Sequence, residues 1–94
     1  MLYALEELLK SAKLEGRHDG RILRAFQNSQ LACFAFDDDL LIGSARALTD
    51  FQYHATIYDV AVMGSYQRNG LGRLLMKNLM ERLQVWRVLL RADF

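Results

Sequence analysis

The chain lacks several features that would assign it to a particular class of protein. It has no proline among its 94 residues and a single cysteine, Cys33. One cysteine excludes an intrachain disulfide and favours a reducing compartment such as the cytoplasm. No apolar run approaches the roughly 18 residues needed to cross a bilayer, and charged residues interrupt the N-terminal leucines, so neither a membrane partner nor a secretory signal is expected. The net charge of +1 gives no reason to expect nucleic acid.

Patterns typical of metal sites and reactive thiols are missing as well. His18 and His54 have no partner at metal-ligand spacing. The three aspartates at 37–39 lack the glycine of a calcium loop and are interpreted as a solvated turn. Cys33 lies in an apolar segment with no sequence neighbour that would lower its pKa, so we expect a buried thiol and no nucleophile. No metal site is predicted.

The residues that are present fit one small α/β domain over residues 1–94. A chain of this length buries about two-thirds of its unfolded surface, and a hydrophobic content of 52% supplies a core. Leucines at helical spacing predict an N-terminal helix that ends near Gly16. Asp19 is expected to cap a second helix that buries Ile22, Leu23 and Phe26. The remaining predicted elements are strands at 31–36, 40–48 and 55–63, a helix at 70–83 and a strand at 85–92. This α-α-β-β-β-α-β order predicts a mixed sheet, with an antiparallel meander followed by a helical crossover to a parallel strand.

The clearest functional pattern is an apolar strand, a glycine-bearing turn and an amphipathic helix. The turn contains Gly70 and Gly72, which let the backbone approach a ligand without an intervening Cβ. Unpaired N–H groups at the start of a helix, together with its dipole, suit a phosphate or pyrophosphate. Leu75 stands where a Rossmann fingerprint requires its third glycine, so that fingerprint is absent. The pattern therefore indicates a nucleotide-type cofactor.

The same residues resemble a known family. Gln67-x-x-Gly70-x-Gly72 after an apolar strand resembles the acetyl-CoA motif of the GNAT N-acetyltransferases. The wider segment 46–72 is similar to the plastid and cyanobacterial-type branch that includes plant serotonin N-acetyltransferases. The superfamily resemblance covers about residues 3–93 and the branch resemblance mainly 40–83. One departure is the segment 63–65, where the family usually has a proline. The resemblance implies a GNAT-like acyltransferase fold.

It also implies where acetyl-CoA would bind. In this superfamily the pantetheine arm pairs with the strand before the turn, and one N–H polarises the thioester carbonyl. The matching residues here are Val60, Ala61 and Val62, whose side chains are also expected to serve the core. Main-chain amides of the turn and the first helical turn surround the pyrophosphate; the matching residues are Gln67, Arg68, Asn69, Gly70, Leu71, Gly72 and Arg73. Each of the two arginine side chains either contacts a phosphate or stays solvated.

For chemistry, the resemblance implies direct transfer of an acetyl group to a primary amine of a small molecule or a peptide. Asp59 is the candidate general base, directly or through water; the alternative is that it bonds nearby backbone and only shapes the sheet. Tyr58 is the candidate acceptor-pocket residue, and strict period-two alternation places it on the opposite face from Asp59. A catalytically silent CoA-binding or dimerisation module is the alternative function, and a nucleotide-binding regulator ranks below both.

The family continues past the position of Phe94 into another helix and two more strands. In the family, this segment supplies the rest of the coenzyme-binding wall, part of the acceptor pocket and a tyrosine that acts as general acid. The first strand of the family fold is absent or reduced at the N-terminus of this chain. We therefore expect either a truncated form or a minimal variant completed by a partner. An exposed strand edge and apolar face favour association, which predicts a homodimer that buries segment 85–92, including Trp86, Val88 and Leu90.

Overall fold

The computed structural model describes residues 1–14 and 19–90, which form helices on both faces of a mixed sheet. The elements in chain order are α1 (Leu2–Ser11), α2 (Ile22–Gln27), β1 (Leu31–Asp37), β2 (Leu40–Thr49), β3 (His54–Val62), α3 (Leu71–Leu83) and β4 (Arg87–Leu90). A 3-10 turn at Gly64–Tyr66 joins β3 to α3. The predicted element order is confirmed. None of the described helices combines the length and apolarity that crossing a membrane requires.

The sheet has the predicted mixed topology. Its strand order is β1-β2-β3-β4, with β1 and β2 antiparallel, β2 and β3 antiparallel, and β3 and β4 parallel. The parallel pair runs from His54 opposite Arg87 to Ile57 opposite Leu90. α3 provides the crossover that a parallel pair requires. The C-terminal end of β3 therefore feeds, through a short connection, into the N-terminus of α3.

Apolar periodicity explains how the helices cover the sheet. Helix α1 buries Leu5, Leu8 and Leu9 in a cluster that also includes residues of α2. Helix α3 covers the other face with a row of leucines at helical spacing: Leu71 is half-buried, and Leu75, Leu79 and Leu83 are buried. Met76 is half-buried beside this row, whereas Met80 is 47% exposed.

A glycine in β2 lets α3 approach the sheet closely. A Cβ placed on Gly43 would lie 3.1 Å from Leu75 Cδ1 and 3.3 Å from Leu71 Cδ2. Both distances are shorter than ordinary carbon–carbon contacts, so the Leu71 and Leu75 side chains would have to shift by a few tenths of an ångström to admit a Cβ. Gly43 pairs with Val62, and the start of α3 is therefore held over the C-terminal end of β3.

Two predicted boundaries are corrected. Asp19 does not cap α2, because the N-cap residue is Arg21. The Asp19 carboxylate instead accepts hydrogen bonds from the Arg21 backbone N–H at 3.2 Å and from Arg21 Nε at 2.7 Å. The last strand is Arg87–Leu90, shorter than the predicted 85–92, and residues 91–92 lie outside the described residues. Gly16 and His18, which also entered the predictions, lie outside them too.

Candidate active site

Strand β3 contains a β-bulge at the position of the candidate catalytic residue. Arg46 pairs with Tyr58, and Ser44 pairs with Ala61, so Asp59 and Val60 together face a single residue of β2. Asp59 has a φ of +54°, in the left-handed region. Aspartate enters this region more readily than most residues because its short polar side chain forms local hydrogen bonds. The bulge adds one residue to β3 and turns the strand.

The added residue overturns one prediction. Strict alternation places Tyr58 and Asp59 on opposite faces of the sheet, but both contact the same side chain, Arg46. The guanidinium carbon of Arg46 lies 5.0 Å from the Tyr58 ring centroid, and its Nε lies 2.7 Å from Asp59 Oδ2. The prediction is wrong because the bulge interrupts the period of two at this point. The two faces of the sheet show the same interruption. Strict alternation would place Ile57 and Ala61 on one face, but Ile57, before the bulge, packs in the cluster beneath α3, and Ala61, after it, packs in the cluster beneath α1.

Asp59 is buried in an ion pair. Its side chain is 2% exposed and that of Arg46 13%. The main-chain oxygen of Asp59 accepts a hydrogen bond from Ser44 Oγ at 3.3 Å. A buried carboxylate needs such a partner, but sequence reasoning missed Arg46 because it lies 13 residues away on the neighbouring strand. The general-base role of Asp59 and the sheet-shaping alternative both stay predictions.

After the bulge, β3 has main-chain N–H and carbonyl groups that point away from β2. The Met63 N–H donates to the Ile42 carbonyl at 2.8 Å. In an antiparallel ladder the direction of bonding alternates, so Ala61 faces β2 and the Val62 N–H and carbonyl point to the opposite edge. In the part of the chain that the structure describes, β4 pairs with β3 only as far as Ile57. This edge at Val62 is the one that the resemblance assigns to pantetheine.

The turn before α3 contains two residues in the left-handed region, Arg68 with a φ of +69° and Gly70 with a φ of +81°. The positive φ at Gly70 agrees with the sequence interpretation, whereas that at Arg68 had no sequence signal. The Leu74 N–H makes the first hydrogen bond of the helix, to Gly70 O at 3.1 Å. Within residues 1–14 and 19–90, the three N–H groups of 71–73 have no acceptor. They form the positive end of the helix dipole, where an anion binds well.

The strand edge and the helix N-terminus are neighbours. A Cβ placed on Gly72 would lie 3.8 Å from Val62 Cγ2, an ordinary contact. The Gln67 side chain also reaches back, because its Nε2 donates to the Val62 carbonyl at 2.8 Å. Arg68 and Arg73 are exposed and form no ion pair among the described residues. The site thus joins an extended-backbone surface to an anion-binding turn.

Two other titratable side chains lie outside this junction. Cys33 is half-buried, its Sγ lies 3.6 Å from Leu75 O, and burial raises the pKa of its thiol. A raised pKa disfavours the thiolate, which is the nucleophilic form, although the thiol is less buried than the sequence suggested. The Tyr66 hydroxyl is hydrogen-bonded to the Asp37 carboxylate, which raises the pKa of Tyr66.

Comparison with known proteins agrees with the fold. The family model described as "Acetyltransferase (GNAT) family" matches residues 2–92. An uncharacterized ycf52-like N-acetyltransferase of Prochlorococcus marinus is 38% identical, over 98% of this chain and 55% of its own length. The chloroplastic GCN5-related N-acetyltransferase 2 of Arabidopsis thaliana is 49% identical over 43 residues, which is 46% of this chain and 17% of that protein. These relatives confirm the resemblance to the plastid and cyanobacterial-type branch.

Solved structures of the same fold match nearly the whole chain. A probable acetyltransferase from meticillin-resistant Staphylococcus aureus has a TM-score of 0.88 and 26% identity, over 98% of this chain and 73% of its own. An aminoglycoside 6'-N-acetyltransferase complexed with coenzyme A has a TM-score of 0.76 and 22% identity, over 87% of this chain and 48% of its own. The chain spans about half the length of the relatives that match most of it. With its α/β fold and the match over 2–92, the chain belongs to the GNAT acetyltransferase family.

Proposed function

We propose that this chain binds acetyl-CoA and forms the donor side of an N-acetyltransferase that acts on primary amines. The observation that carries the proposal is the junction of Val62 and Gly72, where a Cβ added to the glycine would lie 3.8 Å from the valine side chain. There an outward-facing strand edge adjoins helix N–H groups that have no acceptor among the described residues. An extended, amide-containing arm that ends in a pyrophosphate fits such a surface. The neighbour complexed with coenzyme A shares the fold and supports this choice of ligand.

The bonding pattern of β3 supports a narrower choice of proposed coenzyme contacts than the matched segment as a whole. Because Ala61 faces β2, the main-chain groups of Val60 and the Val62 N–H are the ones available to the pantetheine arm, whereas the Val62 carbonyl already accepts a hydrogen bond from Gln67 Nε2. The turn and first helical turn would hold the pyrophosphate through main-chain N–H groups, with Gln67, Arg68, Asn69, Gly70, Leu71, Gly72 and Arg73 as the proposed contacts. Arg68 and Arg73 are exposed cations at this end of α3 and would add charge-assisted bonds.

The reaction we propose is direct transfer within one complex. The ammonium of the acceptor loses a proton to Asp59, directly or through water, and the free amine attacks the thioester carbonyl. The Val62 N–H stabilises the oxygen of that carbonyl as its negative charge develops. The C–N bond forms and the C–S bond breaks, and the second proton of the nitrogen goes to the leaving thiolate. The products are an N-acetyl amine, the free thiol and one proton released to solvent.

The proposed acceptor is a small-molecule or peptide amine. Tyr58, whose half-buried ring lies against the Arg46 guanidinium, is the proposed lining residue of its pocket. Asp59, the proposed base, is ion-paired with Arg46, whose guanidinium carbon lies 5.0 Å from the Tyr58 ring, so the proposed lining offers an aromatic ring and an ion pair with no excess charge. This arrangement favours an amine carried on an apolar or aromatic body. We propose a reducing compartment for the reaction, as Cys33 suggested.

The test is release of free thiol from acetyl-CoA in the presence of a panel of arylalkylamines, polyamines and peptide amines. We expect release above the no-amine background with at least one class, and loss of release in Gly72→Val. Isothermal titration with acetyl-CoA accompanies the assay. Binding without any turnover would leave the silent CoA-binding module as the function, and absence of both would overturn the proposal.

A further inference from the structure

Arg46 connects three elements of the fold at one point. It extends from β2, its Nη1 lies 3.3 Å from Ser29 Oγ after α2, and its guanidinium carbon lies 6.0 Å from the Phe26 ring centroid. On the β3 side it contacts the Tyr58 ring and the Asp59 carboxylate. Two rings and two hydrogen-bond acceptors hold the guanidinium in place. The Arg46 guanidinium is therefore held at a fixed place beside the Asp59 carboxylate.

Asp59 is held at both its side chain and its main chain. Nε of Arg46 binds its carboxylate at 2.7 Å, and Ser44 Oγ binds its carbonyl at 3.3 Å. Both partners come from β2, directly across the bulge. A left-handed residue in the middle of a strand persists only where its surroundings hold it there. These two bonds contribute to that restraint.

We propose that Arg46 is a positioning residue: by pinning Asp59 in the left-handed conformation it maintains the bulge that directs the Val62 main chain to the coenzyme edge. The inference rests on the proposed function, because the purpose of that edge is to bind acetyl-CoA. Arg46 acts through the backbone of β3 and does not touch the ligand. Without the bulge, β3 would be one residue out of register with β2 after Tyr58, and Val62 would exchange orientation with Ala61.

Glycine at position 59 provides a sharp test, since it adopts a positive φ without a side-chain partner. We would compare Asp59→Gly, Asp59→Ala and the double variant Asp59→Gly/Arg46→Met. The readouts are the Kd for acetyl-CoA and the hydrogen-exchange rate of the Met63 amide, which bonds to Ile42 across the strand pair after the bulge. The Leu74 amide in α3 serves as the internal reference.

We expect Asp59→Ala to weaken acetyl-CoA binding and to speed Met63 exchange by about tenfold or more relative to Asp59→Gly, because misplacement by about 1 Å is costly at a binding surface. Adding Arg46→Met to Asp59→Gly should then change either readout by no more than about threefold. In the unaltered background, Arg46→Met should weaken binding by at least about tenfold, whereas Arg24→Met, at an exposed arginine of α2, should not.

Equal behaviour of Asp59→Ala and Asp59→Gly would overturn the proposal, as would a further loss of binding when Arg46→Met is added to Asp59→Gly. Both comparisons use variants that lack the buried Asp59 carboxylate, so they do not depend on Arg46→Met folding by itself. If the unaltered protein failed to bind acetyl-CoA, the proposed function would fall. The Met63 exchange rates would still decide whether Arg46 maintains the bulge.

Discussion

The side-chain amide of Gln67 donates a hydrogen bond to the main-chain oxygen of Val62 at 2.8 Å. Gln67 is the first residue of the turn, and Val62 is the last residue of β3. The bond ties the start of the anion-binding turn to the edge of the strand. It also gives the glutamine of the Gln-x-x-Gly-x-Gly pattern a role that the sequence did not suggest, since its backbone amide was the predicted contact. The two halves of the proposed coenzyme site are thus connected before any ligand is bound.

Replacing Gln67 by Glu should weaken acetyl-CoA binding. The substitution removes the donor to Val62 O and places a negative charge beside the proposed pyrophosphate. A hydrogen bond is worth about 1 kcal/mol net, so we expect at least an approximately fivefold rise in Kd, measured by titration calorimetry. Gln52→Glu, the same change in the exposed β2–β3 loop, is the control and should leave the Kd unchanged. Equal Kd values for both variants would contradict the connecting role of Gln67.

Acetyl-CoA should stabilise the folded chain, because the backbone surface that binds it exists only in the folded state. At ~100 times the Kd the gain is about 2.7 kcal/mol, visible as a rise in Tm. Gly70→Val should abolish the rise, since a β-branched residue resists the φ of +81° that shapes the turn.

Gly20→Val is the matched control for that substitution. Gly20 has a φ of +88° and, like Gly70, has no atom within 4 Å of the position that a Cβ would take. It should lower the Tm through the same backbone strain but preserve the ligand-induced rise. Loss of the rise in both variants would show that the effect comes from general destabilisation and would count against a site at Gly70.

Asp59→Asn separates the two roles considered for that residue. If the carboxylate is the general base, kcat should fall by about two to four orders of magnitude while the Kd for acetyl-CoA stays close to its original value. Asparagine tolerates the left-handed region, so the bulge itself should survive. Asp38→Asn is the control, because Asp38 also has a positive φ, +51°, but lies in an exposed turn. An unchanged kcat in Asp59→Asn would remove Asp59 from proton transfer.

The loop between β2 and β3 should loosen in acid. The Asp50 carboxylate accepts backbone N–H bonds from Gln52, Tyr53 and His54, and these bonds lower the pKa of Asp50. A pKa that is lower in the folded state than in the unfolded chain stabilises the fold above the unfolded pKa. That contribution is lost as the pH falls through the folded pKa. Between pH 6 and pH 3, the Tm should therefore fall further in the unaltered protein than in Asp50→Asn; equal falls would contradict this assignment.

The homodimer remains a prediction with a direct test. In the single chain, Trp86 is 88% exposed, and Leu89 on β4 and Tyr53 beside the Trp86 ring are 56% and 59% exposed. Val88 is half-buried against the α3 side, and the Leu90 side chain lies outside what the structure describes. If this region is buried against a second chain, sedimentation at micromolar concentration should show a dimer whose Trp86 emission is blue-shifted. Trp86→Lys should yield monomers, and a monomer with a solvated indole in the unaltered protein would contradict the prediction.

The sequence by itself determined the elements and their order. The leucines of α3 repeat at helical spacing, the strands alternate, and polar turns separate them, so each element is specified by its own residues. The mixed topology followed as well, because a helical crossover produces a parallel pair. Gly70 was also predictable, since the start of a helix after a tight turn favours a residue that accepts positive φ. These are local features, and local sequence is sufficient to specify them.

Only the tertiary structure decided how the site is arranged within that frame. The bulge at Asp59 depends on Arg46 and Ser44 from another strand, and nothing in the apolar alternation of β3 marks an additional residue. The bond from Gln67 to Val62 and the approach of Gly43 to Leu75 likewise join residues that become neighbours only when strand and helix pack. The physical reason is that a buried charge or a strained backbone angle is stabilised by partners distant in sequence. Local patterns therefore predict the elements, and packing between them sets the face and register on which binding depends.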